Sequence, residues 1–278
     1  QTGKFPCMSS KGNRRVMTTC CYDANAILLR PIKNRTGNEL SKTLEDAFDY
    51  LTERGHKPKF HIMDNEAAKN TITMIQRKKI NLQLAPPDLH RRSPAERAIR
   101  TAKNHILSGI ASTHKDFPTH LWCRIIDQGE MTLNMLRPCR TNPRMSAYAA
   151  LEGEFNYERT PLAPLGMKVI IHKKPGNRTS WAFHGKVGWY IGPELLHYKC
   201  IKCYVPDTGG TITAETFTCA HDNKFRIPEV TPEEELWTAA QNLTKALTKN
   251  PGKRSFIGEK IDELKKLNTI FKERIKDI

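Results

Sequence analysis

The chain has 278 residues and carries 45 Lys and Arg against 29 Asp and Glu, a net charge of +16. That length suits one large domain or two modest ones, and that charge favours an anionic partner, nucleic acid first, the plainer alternative being a solubility charge or a ribosome-like surface. No apolar run reaches the roughly 18 residues that a bilayer span requires, and eight cysteines in a chain this long are too few for a disulfide framework, so reduced thiols and an intracellular setting are expected.

The opening stretch, "QTGKFPCMSS", does not begin with Met and reads as a piece of a longer protein. Residues 14–23, "RRVMTTCCYD", and 26–32, "AILLRPI", are β-prone runs parted by Asp23, Ala24 and Asn25, which predicts a hairpin. Leu40, Leu44, Ala47, Phe48 and Leu51 recur at helical spacing within 38–55. Asn38 can cap the start of that helix and Gly55 can end it. A short strand at 59–64, "KFHIMD", leads into a helix over 66–79 and a further strand over 80–85. "PPDLHRR" is a loop. A long helix is predicted from Pro94 to about Thr113, and another within 119–137. Two strands before the first helix, then alternating strands and helices, indicate an α/β layer structure over residues 1–150.

A linker at 151–165 follows. Beyond it, "KVIIHKK", "KVGWYIG", "KCIKCYVP" and "GTITAETF" are short strands parted by turn residues, predicting a small antiparallel barrel or sandwich at 166–228. The remainder, 229–278, is a charged helical tail. Its stripe of Ile261, Leu264, Leu267, Ile270, Phe271 and Ile275 reads as a helix packed on its own protein.

Chemistry concentrates in "HRRSPAERAIRTAKNH", residues 90–105. Ser93, Pro94 and Glu96 fit a capping box, a sufficient local reason for the acid. It does not account for the basic residues around it. Glu96, Arg100 and Lys103 stand at i, i+4 and i+7, on one helix face with the acid at the N-terminal end. A metal-held phosphate above Glu96 and a phosphate backbone along Arg100 and Lys103 account for the whole stripe. Asp64 closes the strand "FHIMD", where α/β sheets gather their ligands, although an Asp there is also an ordinary helix cap. Two carboxylates suit a hard divalent cation such as Mg²⁺ or Mn²⁺, with positions left for water and phosphate. A third carboxylate is expected on a strand beside that of Asp64.

"FHIMDNEAA" followed by "PPDLHRRSPAERAIRTAKNHI" closely resembles the catalytic core of retroviral-type integrases. More narrowly, it is similar to copia-type LTR retrotransposon polyproteins of the kind found in diatoms and other algae. "GKVGWYIGPELLHYKCIKCYVPDT" resembles the small β domain that follows that core, so the likeness covers about 1–228. The resemblance implies an RNase H-like core, a mixed sheet flanked by helices, then a small all-β barrel-like domain. It matches Asp64 to the second Asp and Glu96 to the Glu of an Asp…Asp…Glu triad that holds Mg²⁺ or Mn²⁺. Residues 65–95 separate the two, a few fewer than in most retroviral members.

The implied activity is polynucleotidyl transfer. Water frees a 3′-hydroxyl at the element's end, and that hydroxyl attacks target DNA in line. Arg100 and Lys103, and more loosely His90, Arg91 and Arg92 in the preceding loop, match residues that contact double-stranded DNA. The family works as homo-oligomers on a nuclear substrate. Its first Asp precedes a "TG-F"-like segment, so here it would fall just upstream of Gln1, and the preceding zinc-binding His/Cys segment lies outside the sequence. A chain limited to Asp64 and Glu96 would be impaired, and a catalytically inactive DNA-binding or assembly module left by a decayed element is the alternative. Asp23, at the far end of its strand, reads as a turn residue.

Two other signals compete. Cys200 and Cys203 followed by Cys219 and His221 have a spacing that zinc can use, but an odd offset in a strand puts Cys200 and Cys203 on opposite faces. Adjacent Cys20 and Cys21 read as packing residues. Trp181, Trp189, Tyr190, Tyr198 and Tyr204 can stack on bases, though in so small a domain they are expected in the core.

Overall fold

The hairpin of β2 (Arg15–Cys21) and β3 (Ala26–Ile32) pairs antiparallel from Arg15↔Ile32 to Cys21↔Ala26. Asn25 closes its turn at φ +55°, a left-handed conformation that Asn tolerates better than most residues. In this computed structural model the described residues are 2–63, 68–85, 94–177 and 183–219. Ser93, Trp181, His221 and the tail at 229–278 lie outside them. A third strand, β1 (Thr2–Lys4), adds to β2 antiparallel, so three strands rather than two precede the first helix.

β3 is buried on both faces, which is why "AILLRPI" is nearly continuously apolar. Ile27 and Leu29 pack with α3 (Pro94–Ala111) and α4 (Trp122–Met135), while Ala26 and Leu28 pack with α1 (Gly37–Glu53) and α5 (Ala147–Glu152). Helices therefore flank the sheet on both sides, the mixed α/β arrangement expected. α1 is capped by Thr36, whose side chain accepts from the Glu39 amide, and not by Asn38. The Thr36 hydroxyl satisfies the Glu39 amide, while its own N–H donates to the Asn34 side chain at 3.0 Å, so the helix begins at Gly37. Gly55, at φ +81°, terminates the helix as anticipated. α5 was not anticipated; Ser146 caps it through the Ala149 amide, and Gly153 at φ +82° follows its end.

The outer edge of β3 shows how α4 is fixed. Ile27, Leu29 and Pro31 turn their backbone outward from the hairpin. Asn134 of α4 accepts from the Ile27 N–H (2.8 Å) and donates to its carbonyl (2.9 Å), Glu130 accepts from the Leu29 N–H, and Pro31 has no N–H to satisfy. An edge that would otherwise expose unpaired groups is closed by side chains from a helix.

β4 (Phe60–Met63) and β5 (Asn81–Leu84) form a parallel pair, with α2 (Lys69–Arg77) between them in sequence. Met63 and Leu82 pack with Leu44, Phe48, Met74 and Ile75 beneath the pair.

The last five strands, β6 (Lys168–His172), β7 (Gly185–Pro193), β8 (Ile201–Val205), β9 (Gly210–Ala214) and β10 (Phe217–Cys219), form one antiparallel sheet in the order β10-β6-β7-β8-β9. Among the described residues β9 and β10 do not pair, so the sheet is open and no barrel closes. Alternation along β7 sends Trp189 and Ile191 into the α3–α4 core and Tyr190 into the sheet's own core, and the register shifts by a bulge between Tyr190 and Gly192, the latter at φ +151°.

Candidate functional site

The parallel register of β4 and β5 ends with Met63 opposite Leu84, and the Ala85 amide donates to the Met63 carbonyl at 2.8 Å. The chain thus leaves both strands at the same, carboxyl end of the pair, where ligands collect in α/β sheets. Asp64 is the next residue after β4 and lies outside the described residues, as do His90, Arg91 and Arg92. α3 starts at Pro94 and places Glu96 in its first turn, where a carboxylate also suits the helix dipole.

α3 is oriented by its apolar stripe. Ala98, Ala102, Ile106 and Ile110 are buried against β2, β3 and α4. Gly129 of α4 lies where any side chain would collide with Ile106, so the two helices cross closely. With that face committed, Arg100 and Lys103 are exposed and Glu96 is half-buried at the head of their stripe. The predicted i, i+4, i+7 face is therefore a surface of the protein, acid first and cations following.

The third carboxylate does not appear on the strands described. β5, the strand paired with β4, offers Asn81 and Gln83, and β1 offers Thr2, Gly3 and Lys4. Asp23 sits in the β2–β3 turn, where its carbonyl accepts from the Arg140 and Thr141 amides at 3.1 and 3.3 Å. Among the described residues no group of three His, Cys, Asp or Glu side chains is arranged to hold a metal. Asp64 and Glu96 suit a hard cation by donor type, with water and phosphate completing the shell.

Cys203 is fully buried in β8 among Val169, Tyr190 and Ile201, and burial, with Cys219 nearby, pushes its thiol up to about 12. It is a core residue. Cys200 is also buried, its thiol directed at the Tyr198 carbonyl at 3.4 Å. Trp189 and Tyr190 are core residues as expected, Trp189 meeting Phe117 edge-on at 5.9 Å. Tyr198 is not: it is 65% exposed, with the Lys199 ammonium 5.1 Å from its ring centre. Tyr204 is half-buried, with the Arg124 guanidinium over its ring.

Two groups were missed by sequence reasoning. Glu130 of α4 is largely but not fully covered, its side chain 12% exposed, with Arg30 at 2.7 Å; desolvation outweighs that cation and lifts the carboxyl to about 7. Nothing in the sequence sets it apart from the neighbouring Asp127, which is exposed. The second is a cluster of Arg97, Arg137 and Arg140, drawn from two distant segments.

No family model matches the chain, and no curated protein does. Among solved structures, the chain is similar to one in the cryo-EM structure of the simian T-cell lymphotropic virus intasome in complex with PP2A regulatory subunit B56 gamma. The identity is 15% and the TM-score 0.40, over 81% of this chain and 78% of that one. So distant a likeness assigns a role to no residue. Among the described residues, no helix is long and apolar enough to cross a membrane.

Proposed function

We propose that this chain is the integrase segment of a copia-like LTR retrotransposon, a polynucleotidyl transferase acting on double-stranded DNA. One observation carries the reading: Glu96 heads an exposed stripe with Arg100 and Lys103 on a helix that follows the β4–β5 pair, whose carboxyl end is continued by Asp64. The motif resemblance of residues 60–68 and 86–106 supports it.

In this reading Asp64 and Glu96 hold Mg²⁺ or Mn²⁺, which when bound activates the attacking oxygen and stabilises the leaving one. Arg100 and Lys103 seat successive phosphates, positioning the duplex without reading its sequence. His90, Arg91 and Arg92 contact the DNA end beside them. The nucleus is the corresponding place of action, and a homo-oligomer the working form.

β5, the strand paired with β4, supplies no acid, and that observation favours a second reading, a catalytically inactive DNA-binding or assembly module. The experiment is strand transfer with Mn²⁺ by a chain extended upstream of Gln1, compared with its Asp64→Asn and Glu96→Gln variants. The first reading expects activity in the extended parent and its loss in both variants. An inactive parent that still binds duplex DNA establishes the second. Full activity in both variants refutes the site.

A further inference from the structure

Beside the Glu96 stripe, about a third of a turn round α3, Arg97 and Thr101 face a cavity of about 270 Å³. Its other walls are Cys20 of β2, Ala98 of α3, and Arg137 and Arg140 from the segment after α4. Three arginines from two parts of the chain therefore line one small space.

The cluster is built rather than accidental. The Arg137 guanidinium is held by Asn25, its Nε donating to the Asn25 carbonyl at 2.8 Å and its Nη2 to the Asn25 side chain at 2.6 Å. Asn25 is itself fixed by donating to the Pro138 carbonyl at 2.9 Å. The Arg140 guanidinium lies 4.0 Å over the Tyr22 ring, while its amide is tied to Asp23. These contacts hold the cations in place without neutralising them. Among the described residues no carboxylate forms an ion pair with any of the three. Partial burial, with Arg140 beside it, makes charging Arg137 harder than in water, although the Cys20 thiol opposes that effect.

Arg137 is half-buried while Arg97 and Arg140 are exposed, so the mutual repulsion of three like charges around one small space is relieved when an anion enters it. Guanidinium forks match an oxyanion's geometry through paired N–H donors. The volume lies just below the range of pockets for whole small molecules, so it suits a phosphate group rather than a nucleotide base.

We propose that Arg97, Arg137 and Arg140 form a phosphate site that takes a phosphodiester of a nucleic-acid backbone, on the flank of α3 turned away from Glu96. The nucleic-acid source follows from continuity: Arg100 and Lys103 stand on the adjoining exposed face of the same helix, in a chain of net charge +16. The site goes beyond the proposed function and stands whether or not Asp64 and Glu96 share a metal.

The test is fluorescence anisotropy of the full chain with a labelled duplex across a salt series. Arg97→Gln and Arg140→Gln carry it, because both side chains are exposed and Arg137 also braces Asn25. Each is expected to weaken binding about three- to tenfold and to flatten the log–log salt slope by about 0.9. Lys42→Gln on α1, which removes the same charge elsewhere, should change neither. Wild-type affinity and slope in both arginine variants would overturn the site. So would melting stabilisation by inorganic pyrophosphate that Arg140→Gln abolishes while duplex binding stays intact, since the cluster would then take a free anion.

Discussion

At Glu130 a single carboxylate reports how tightly α4 is seated. It accepts from the Leu29 amide and pairs with Arg30, yet burial keeps its carboxyl at about 7 against an ordinary 4.5. A folded-state value raised above the unfolded one favours the folded state fully below about pH 4.5, and that advantage is lost as pH rises through 7. The difference is on the order of 3 kcal/mol. Burial sets His61 the other way, holding its ring at about 4. Its contribution is present above the ordinary 6.5 and is lost as pH falls through 4. Urea unfolding at pH 5 and pH 8 should therefore show Glu130→Gln relatively more stable than the parent at pH 8, with the fall between the two values reduced. Equal pH dependence in parent and variant would show that this carboxyl does not titrate in the folded protein as described.

At the scale of elements, what the sequence reveals depends on whether the signal is local. The β2–β3 hairpin is legible because two β-prone runs flank an Asp-Ala-Asn turn, and α3 is legible because its apolar stripe and its Glu96–Lys103 face have the same period. α1 was misplaced at its start because Thr36 and Asn38 both suit a cap, and only the reach to Glu39 decides between them. The edge closure of β3 by Asn134 and Glu130 was illegible, since nothing near residues 27–29 announces a partner about a hundred residues away. The same holds for the arginine cluster. Arg97 looks like one more charge on a basic helix until Arg137 and Arg140 are brought to it.

Gly129 belongs at this scale too. It costs α4 about 1 kcal/mol in helix propensity relative to Ala, and the close approach of Ile106 explains why it is kept. Gly129→Ala sets that propensity gain against a clash with the terminal methyl of Ile106, and is expected to destabilise the protein by at most about 1–2 kcal/mol net. Ile106→Val, which removes the colliding methyl, should restore most of that loss in the double variant. Additive losses in denaturant melts would mean that the helices do not meet at this point.

At the scale of the molecule, the five-stranded sheet shares a core with the helices. Trp189 and Ile191 of β7 and the preceding Leu165 pack in the cluster formed by α3 and α4. A chain ending at residue 160 would leave that apolar surface uncovered. It is expected to lose several kcal/mol and to expose hydrophobic surface to dye, whereas a stability equal to the parent's would make the sheet an independent appendage. The layered α/β order and the antiparallel run of late strands could be read from the sequence. The openness of the late sheet could not, because closure depends on whether its first and last strands meet, and turn spacing does not specify that.

The account rests on Asp64 and Glu96 sharing one divalent cation. Mn²⁺ titration of the chain followed by electron paramagnetic resonance tests this without requiring catalysis. A bound fraction that falls by about tenfold in affinity, ~1.4 kcal/mol, in Asp64→Asn and equally in Glu96→Gln is the predicted result. Mn²⁺ binding that is unchanged in either variant would contradict it.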